Sequence, residues 1–376
     1  MVIGRFLIVL LALLGLLSCA AAARMQPTFH AQSDPALLSE WGMVQVGAGR
    51  LAVGEGVVAY QLNTALFSDY AQKFRTVWLP EGESAPYTAD GAFDFPVGTV
   101  VTKTFYYPQA EDGGQVLQTL PAQTVVDATG LALAGMRLIE TRVLVRRQAG
   151  WQAAVYLWND AQTDATLKRS GGRVDLRLMR DDGREEAFIY AVPNVTQCAA
   201  CHASQGGANL HPIGLQGRHV NRDGLPGFEG PAGQIERLVA VGYLRDVPGA
   251  DLPAAAPFEG AHADVAAQAR AYLDINCAHC HNPRGPADTS GLYLDAASAL
   301  GPAFGVCKPP VAAGAGTGDL RFDVVPGAPD QSILLHRLLS DKSAEMMPEI
   351  GRALAHEEGA ALISAWIAQM PGQCGG

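Results

Sequence analysis

The pattern Cys-x-x-Cys-His occurs twice in this chain, as Cys198-Ala199-Ala200-Cys201-His202 and as Cys277-Ala278-His279-Cys280-His281. Two thiols followed directly by an imidazole form the arrangement that attaches haem: the thiols add to its vinyl groups and the histidine ligates the iron. A chain with two copies must fold around two large, flat, apolar groups. Zinc knuckles also use Cys-x-x-Cys, as do redox-active thiols of the thioredoxin kind, and either explains one copy. Neither explains a histidine after the second cysteine in both. The expected cofactors are therefore two covalently bound haem c groups, with Cys198, Cys201, Cys277 and Cys280 as thioether residues and His202 and His281 as proximal iron ligands. His279 is a spacer residue and is not expected to bind the iron of its own haem.

The N-terminus predicts export. One cation, Arg5, precedes an unbroken apolar run from Phe6 to Leu17, too short to span a bilayer comfortably, so residues 1–18 read as a signal peptide. Leu16-Leu17-Ser18-Cys19 resembles a lipobox, which makes Cys19 the lipidation residue and predicts a periplasmic protein held to a membrane. Ordinary cleavage after Ala21 or Ala23 is the competing reading. The net charge of -10 becomes more negative when Arg5 is lost, which argues against nucleic acid as a partner. Of the seven cysteines, Cys307 and Cys374 remain after these assignments, and in an oxidising compartment they are expected to pair.

The texture of the chain divides it further. Residues 19–44 form an N-terminal segment with a short helix near Pro35 to Trp41. From 45 to 192 it reads as a β-rich, sandwich-like domain. Phe93 to Tyr107 and Ile139 to Arg147 are rich in aromatic and β-branched residues, Val174, Leu176 and Leu178 alternate with polar neighbours, and Glu111-Asp112-Gly113-Gly114 and Asp181-Asp182-Gly183 mark turns. Residues 193–246 form a first haem-binding segment with helical spacing from Ile235 to Tyr243, and 247–260 a Pro/Ala linker. Residues 261–376 form a cytochrome c domain, its first helix capped by Asp264 and its last bearing Leu362, Ala365, Trp366 and Met370. The fold class expected is thus multidomain α and β, with a mostly α-helical cytochrome c region after the β-rich domain.

A sixth iron ligand for the second haem is predicted at Met347, directly before Pro348, with Met346 as runner-up and core packing as the ordinary fate of both. For the first haem His211 is favoured, then His219, with Met179 or an open position as alternatives. The isolated carboxylates Asp69, Asp94, Glu140 and Asp160 are expected to face water, and no pair of them has a spacing that argues acid/base catalysis.

The segments ARAYLDINCAHCHNPRGPADTSGLYLD, GVCKPPVAAG, VVPGAPDQSILLHRL, MMPEIGRALAHEEGAALISAWIAQM, LNTALFSDYAQKFRTVWLPEG and FDFPVGTVVTKTF resemble a family of largely uncharacterised bacterial diheme c-type cytochromes, over nearly all of the mature chain. The resemblance implies haem, an extracytoplasmic location, Cys198, Cys201 and His202 at the first site, and Cys277, Cys280, His281 and Met347 at the second. The function expected is electron transfer between redox protein partners, from the first site to the methionine-ligated second. A peroxidase-like enzyme with one open haem, and a haem subunit that docks a dehydrogenase through its β-domain, are the alternatives.

Overall fold

A computed structural model of the chain describes residues 25–119, 125–203, 210–228, 230–258, 264–311 and 314–375. The expected signal peptide and Cys19 lie outside the described residues. No helix among the described residues is long and apolar enough to cross a membrane.

The centre is a six-stranded antiparallel meander: β1 (Val58–Tyr60), β2 (Gln72–Trp78), β3 (Val100–Pro108), β4 (Met136–Arg147), β5 (Gly150–Trp158) and β6 (Ala165–Leu167), each paired with the next. Side chains alternate between its faces, and both faces are covered. Phe74, Tyr106, Val143, Val145 and Tyr156 pack with Trp41, Leu51 and Leu131 on one side. Residues of the opposite parity, such as Val101, Phe105, Leu144 and Val155, pack with Leu176, Tyr190, Cys198, Ile213 and Ile275 on the other. Burying one such aliphatic or aromatic side chain contributes about 1.5 to 3 kcal/mol, and a strand covered on both faces draws on this at the apolar residues of either parity.

Three smaller sheets surround the meander. Val44–Gly47, Arg50–Val53, Gly130–Ala132 and Val126–Asp127 form one; Glu185–Val192, Gly172–Met179 and Val116–Leu117 form another; Leu244–Arg245 and Ala85–Pro86 form a third. In Gly172–Met179, Leu176 and Leu178 are buried and their neighbours Asp175 and Arg177 exposed, the alternation the sequence carries.

The expectation of a mostly α-helical region after residue 192 is overturned: four sheets dominate the regular structure. The described helices are α1 (Val195–His202), α2 (Gly217–Val220), α3 (Gln234–Ala240), α4 (Val265–Asn276), α5 (Ile333–Leu339) and α6 (Glu357–Ala368), none longer than 12 residues. The apolar spacing that predicts helices is genuine only in those short runs. Between α4 and α5, Pro283, Gly285, Pro286, Gly291, Pro302, Gly305 and Pro326 break the backbone hydrogen-bond ladder, and the chain runs in turns and single 3-10 turns.

One apolar core crosses residue 192, since Cys198, Ile213, Ile275 and Leu354 all pack with meander residues. The Pro/Ala stretch expected as a linker is laced to the body. Thr64 Oγ1 donates to the Ala256 carbonyl at 2.7 Å, and the Ala255 amide donates to the Arg218 carbonyl at 2.7 Å.

Candidate functional site

The first motif is built on α1. Asn194 and Gln197 form a reciprocal cap, Asn194 accepting from the Gln197 amide at 2.8 Å and Gln197 from the Asn194 amide at 2.9 Å. One helical turn then places Cys198, Cys201 and His202 on one face. His202 Nδ1 donates to the His211 carbonyl at 2.7 Å, which fixes the tautomer and leaves Nε2 as the free ligand nitrogen. Burial, reinforced by the nearby Lys103 charge, pushes the His202 imidazole down to about 3, so it stays neutral and able to bind a metal at any physiological pH.

The second motif begins where α4 ends. Asp264 caps that helix by accepting from the Ala266 amide at 3.0 Å. Tyr272 and Ile275 bury its inner face, and Asn276 Oδ1 accepts from the Phe67 amide at 2.7 Å, tying the helix end to the β-rich part. The chain then turns tightly, with the Cys280 and His281 amides both donating to the Cys277 carbonyl at 3.1 and 2.9 Å. His281 is also kept neutral, pushed down to about 4 by burial and by His279.

Cys277, Cys280, His281 and Met347 converge on one cavity of about 320 Å³, walled by apolar side chains such as Leu292, Leu294, Val324 and Leu338. Met346 is buried and does not line it. The disulfide Cys307–Cys374 is formed, as expected, and closes a loop of 67 residues that carries Val324, Leu338 and Met347. In the chain-entropy account a loop of that length is worth about 4 kcal/mol.

Around the first motif the space is smaller. Two voids of about 60 and 90 Å³ share Cys198, His202, Lys103, Arg142 and Ile213 in their walls. The two motifs also meet. Cys201, His279 and Cys280 bring their ligand atoms within 4.8 Å of one another, the Cys280 thiol reaches the Ala200 carbonyl at 3.5 Å, and its hydrogen bond to Cys201 lowers the Cys201 thiol below the ordinary range.

No family model, curated protein or solved structure matches this chain. The resemblance drawn from sequence therefore stands on its motifs alone, and the geometry of the two sites bears the functional reading.

The remaining candidates are accounted for as follows. His219 lies buried on α2 with Nε2 2.9 Å from Asp274 Oδ2, where it helps Arg218 anchor α4. Met179 lines neither void at the first motif. Asp94 and Asp160 are exposed, as expected, but Asp69 and Glu140 are buried, at 2% and 0% exposure. Asp69 accepts from the amides of Ala353 and Leu354 at 2.6 and 2.8 Å, and Glu140 accepts from Tyr190 at 2.7 Å and pairs with Arg142. Sequence reasoning also passes over Lys73, Arg75, Lys103 and Arg142. Their signal is phase: Lys103 sits two residues from both Val101 and Phe105, on the same buried face.

Proposed function

We propose that the protein is an extracytoplasmic electron carrier with two covalently attached haem c groups. The observation that carries the reading is the convergence of two thiols, a neutral imidazole and a thioether on one apolar cavity at the second motif. That donor set fits a haem that Cys277 and Cys280 would attach and for which His281 and Met347 would be the iron ligands. At the first motif Cys198, Cys201 and His202 would hold the second group.

Haem supplies one-electron chemistry, and the chain's share is to hold, insulate and tune it. His202 and His281 remain neutral by burial and so keep a lone pair for the metal. Leu292, Leu294, Val324 and Leu338 exclude water from the second site. Met347, as a thioether donor, would favour the reduced state of a haem held there, and electrons would then run from the first site to the second. The contact of Cys201 with Cys280 supports a relay, because the two attachment points touch. The His211 carbonyl holds the rear nitrogen of His202, and His211, the favoured distal ligand for the first haem, lines neither void at the first motif.

The chain made in a host that attaches haem c should give a pyridine haemochrome spectrum and an intact mass for two haems. Cys198→Ser/Cys201→Ser and Cys277→Ser/Cys280→Ser should each lose one. A colourless chain, or a pigment stripped by acid-acetone, removes the reading.

The Cys201, His279 and Cys280 cluster favours a second reading, a metal ion such as zinc bridging the two motifs. His279 Nδ1 is buried without a partner. Elemental analysis decides it: one zinc per chain with no covalent haem supports the ion, and two irons per chain rule it out.

A further inference from the structure

Arg75, Lys103 and Arg142 stand directly opposite one another on β2, β3 and β4, with Arg75 across from Lys103 and Lys103 across from Arg142. Like charges opposed across strands destabilise a sheet, and this row lies on the face that meets Cys198 of α1 and Ile275 of α4. Most of its members are answered nearby. Arg142 pairs with Glu140 at 2.5 Å, and Lys73, on the same face, donates from Nζ to the Ala71 carbonyl at 2.6 Å. Lys103 Nζ lies over the Phe105 ring, 5.1 Å from its centroid. A buried lysine can also shed its proton, and burial pushes the Lys103 amine down to about 7.

Arg75 has neither escape. A guanidinium stays charged inside a protein. Arg75 is 7% exposed, no acid pairs with it among the described residues, and its buried Nη2 has no hydrogen-bond partner. Its cross-strand neighbour on β1 is Tyr60, a neutral phenol that burial pushes up to about 12. A buried charge without a partner is among the most costly features a core can carry, and an opposite charge beside it offsets that cost.

Arg75, Lys103 and Arg142 line one void of about 60 Å³. One water needs about 10 to 15 Å³ of such space, so the void takes a small ion with a water or two and nothing larger. The donors decide which ion. Nitrogen donors stand on the sheet side, and Leu62, Ile213 and Ile275 close the other with aliphatic carbon. Phosphate or sulfate would turn oxygens toward that carbon and leave them unmatched. A monatomic anion has no such directional demand.

We propose that Arg75 and Lys103 form a buried site for a monatomic halide, chloride in biological fluids, which serves as counter-ion to the cation row. Cys198 and His202 border the same void, but the inference does not rest on the haem reading: it needs only the cations of β2 and β3 and the size and lining of the space between them.

The test uses the full chain as purified, exchanged into chloride-free gluconate buffer. Its urea midpoint is followed as chloride replaces gluconate at constant ionic strength. The midpoint should rise and then level off, as binding to the folded chain alone requires. Arg75→Met should abolish the rise and, in gluconate, show a higher midpoint than the parent, because it removes the charge that the ion answers. Lys103→Met should weaken chloride binding on the order of ten- to a hundredfold. A parent midpoint that does not respond, one that climbs without levelling off, or an Arg75→Met chain that keeps the full response overturns the proposal.

A second arm needs no variant to fold. Crystals of the parent chain grown in bromide should show anomalous scattering from an ion between Arg75 and Lys103. Bromide found only at the surface refutes the site. Sulfate that abolishes the chloride response at equal ionic strength makes it an oxyanion site and refutes the halide.

Discussion

The two Cys-x-x-Cys-His motifs share a sequence pattern and inhabit opposite environments. The second lies in a mainly apolar cavity of about 320 Å³, with Asp323, Arg337 and Glu349 also in its wall, made by turns and short helices and fastened by Cys307–Cys374. The first lies against a charged sheet face, where Arg75, Lys103 and Arg142 form a row. An apolar wall and a cationic wall tune a bound redox group by different means, dehydration in one case and fixed charge in the other. The same motif thus occurs in two unlike surroundings, and under the proposed haem reading it is those surroundings that would set the potential.

Changes on the sheet break or sharpen this contrast in graded steps. The largest effect is expected from Glu140→Gln. It removes the buried acid that answers Arg142 and accepts from Tyr190, and leaving a buried charge unpaired costs about 3 to 5 kcal/mol. Urea denaturation should register the loss, and if the proposed haems are attached, absorbance of the one at the first motif should change before that of the other. Equal, small shifts at both sites would show that the sheet charge is not local to the first.

Asp69 couples the two regions and supplies the next effect. Its carboxyl is pushed up to about 6, chiefly by burial, against the two amide hydrogen bonds that favour its ionised form. The folded state therefore holds this proton more tightly than the unfolded chain, whose value is near 3.8. That contribution to stability is present below pH about 4 and is lost as pH rises to about 6, by about 2 to 3 kcal/mol. Asp69→Asn should flatten the difference between stabilities measured at pH 4 and pH 7, and an unchanged pH slope would refute the assignment.

The smallest effect comes from the other face of the same strands. There Thr76 and Thr102 share a hydrogen bond of 2.6 Å, and Thr102→Val should cost about 1 to 2 kcal/mol by leaving a buried hydroxyl unmatched. Thr102 also borders the void at the first motif, so under the proposed haem reading any change in potential should be small and confined to that site. A stability loss well above this range would mean that the change reaches beyond the Thr76 pair.

Much of the β-rich part was legible because its signals are local. Alternation in Gly172–Met179, the Asp264 cap and the apolar phase of β4 are each properties of a few consecutive residues. The last helix was legible in kind but displaced in detail: Ala365 is exposed, and the buried stripe is Ala360, Ile363, Trp366 and Ile367. The helical content after residue 192 was overestimated because Gly and Pro between α4 and α5 outweigh apolar spacing. Met347 was separable from Met346 only in three dimensions, since adjacent residues differ in what they face. The cation row was illegible for a deeper reason. Arg75, Lys103 and Arg142 are far apart in the chain, and only strand register brings them together.

The proximity of Cys201 to Cys280 bears on how such a protein is put together. In an oxidising compartment, a chain that folded while both thiols were free would hold them ready to join, and a bond between them would take one attachment residue from each motif. On the haem reading, attachment would have to come before final closure, and the spacing of these two sulfur atoms would impose that order.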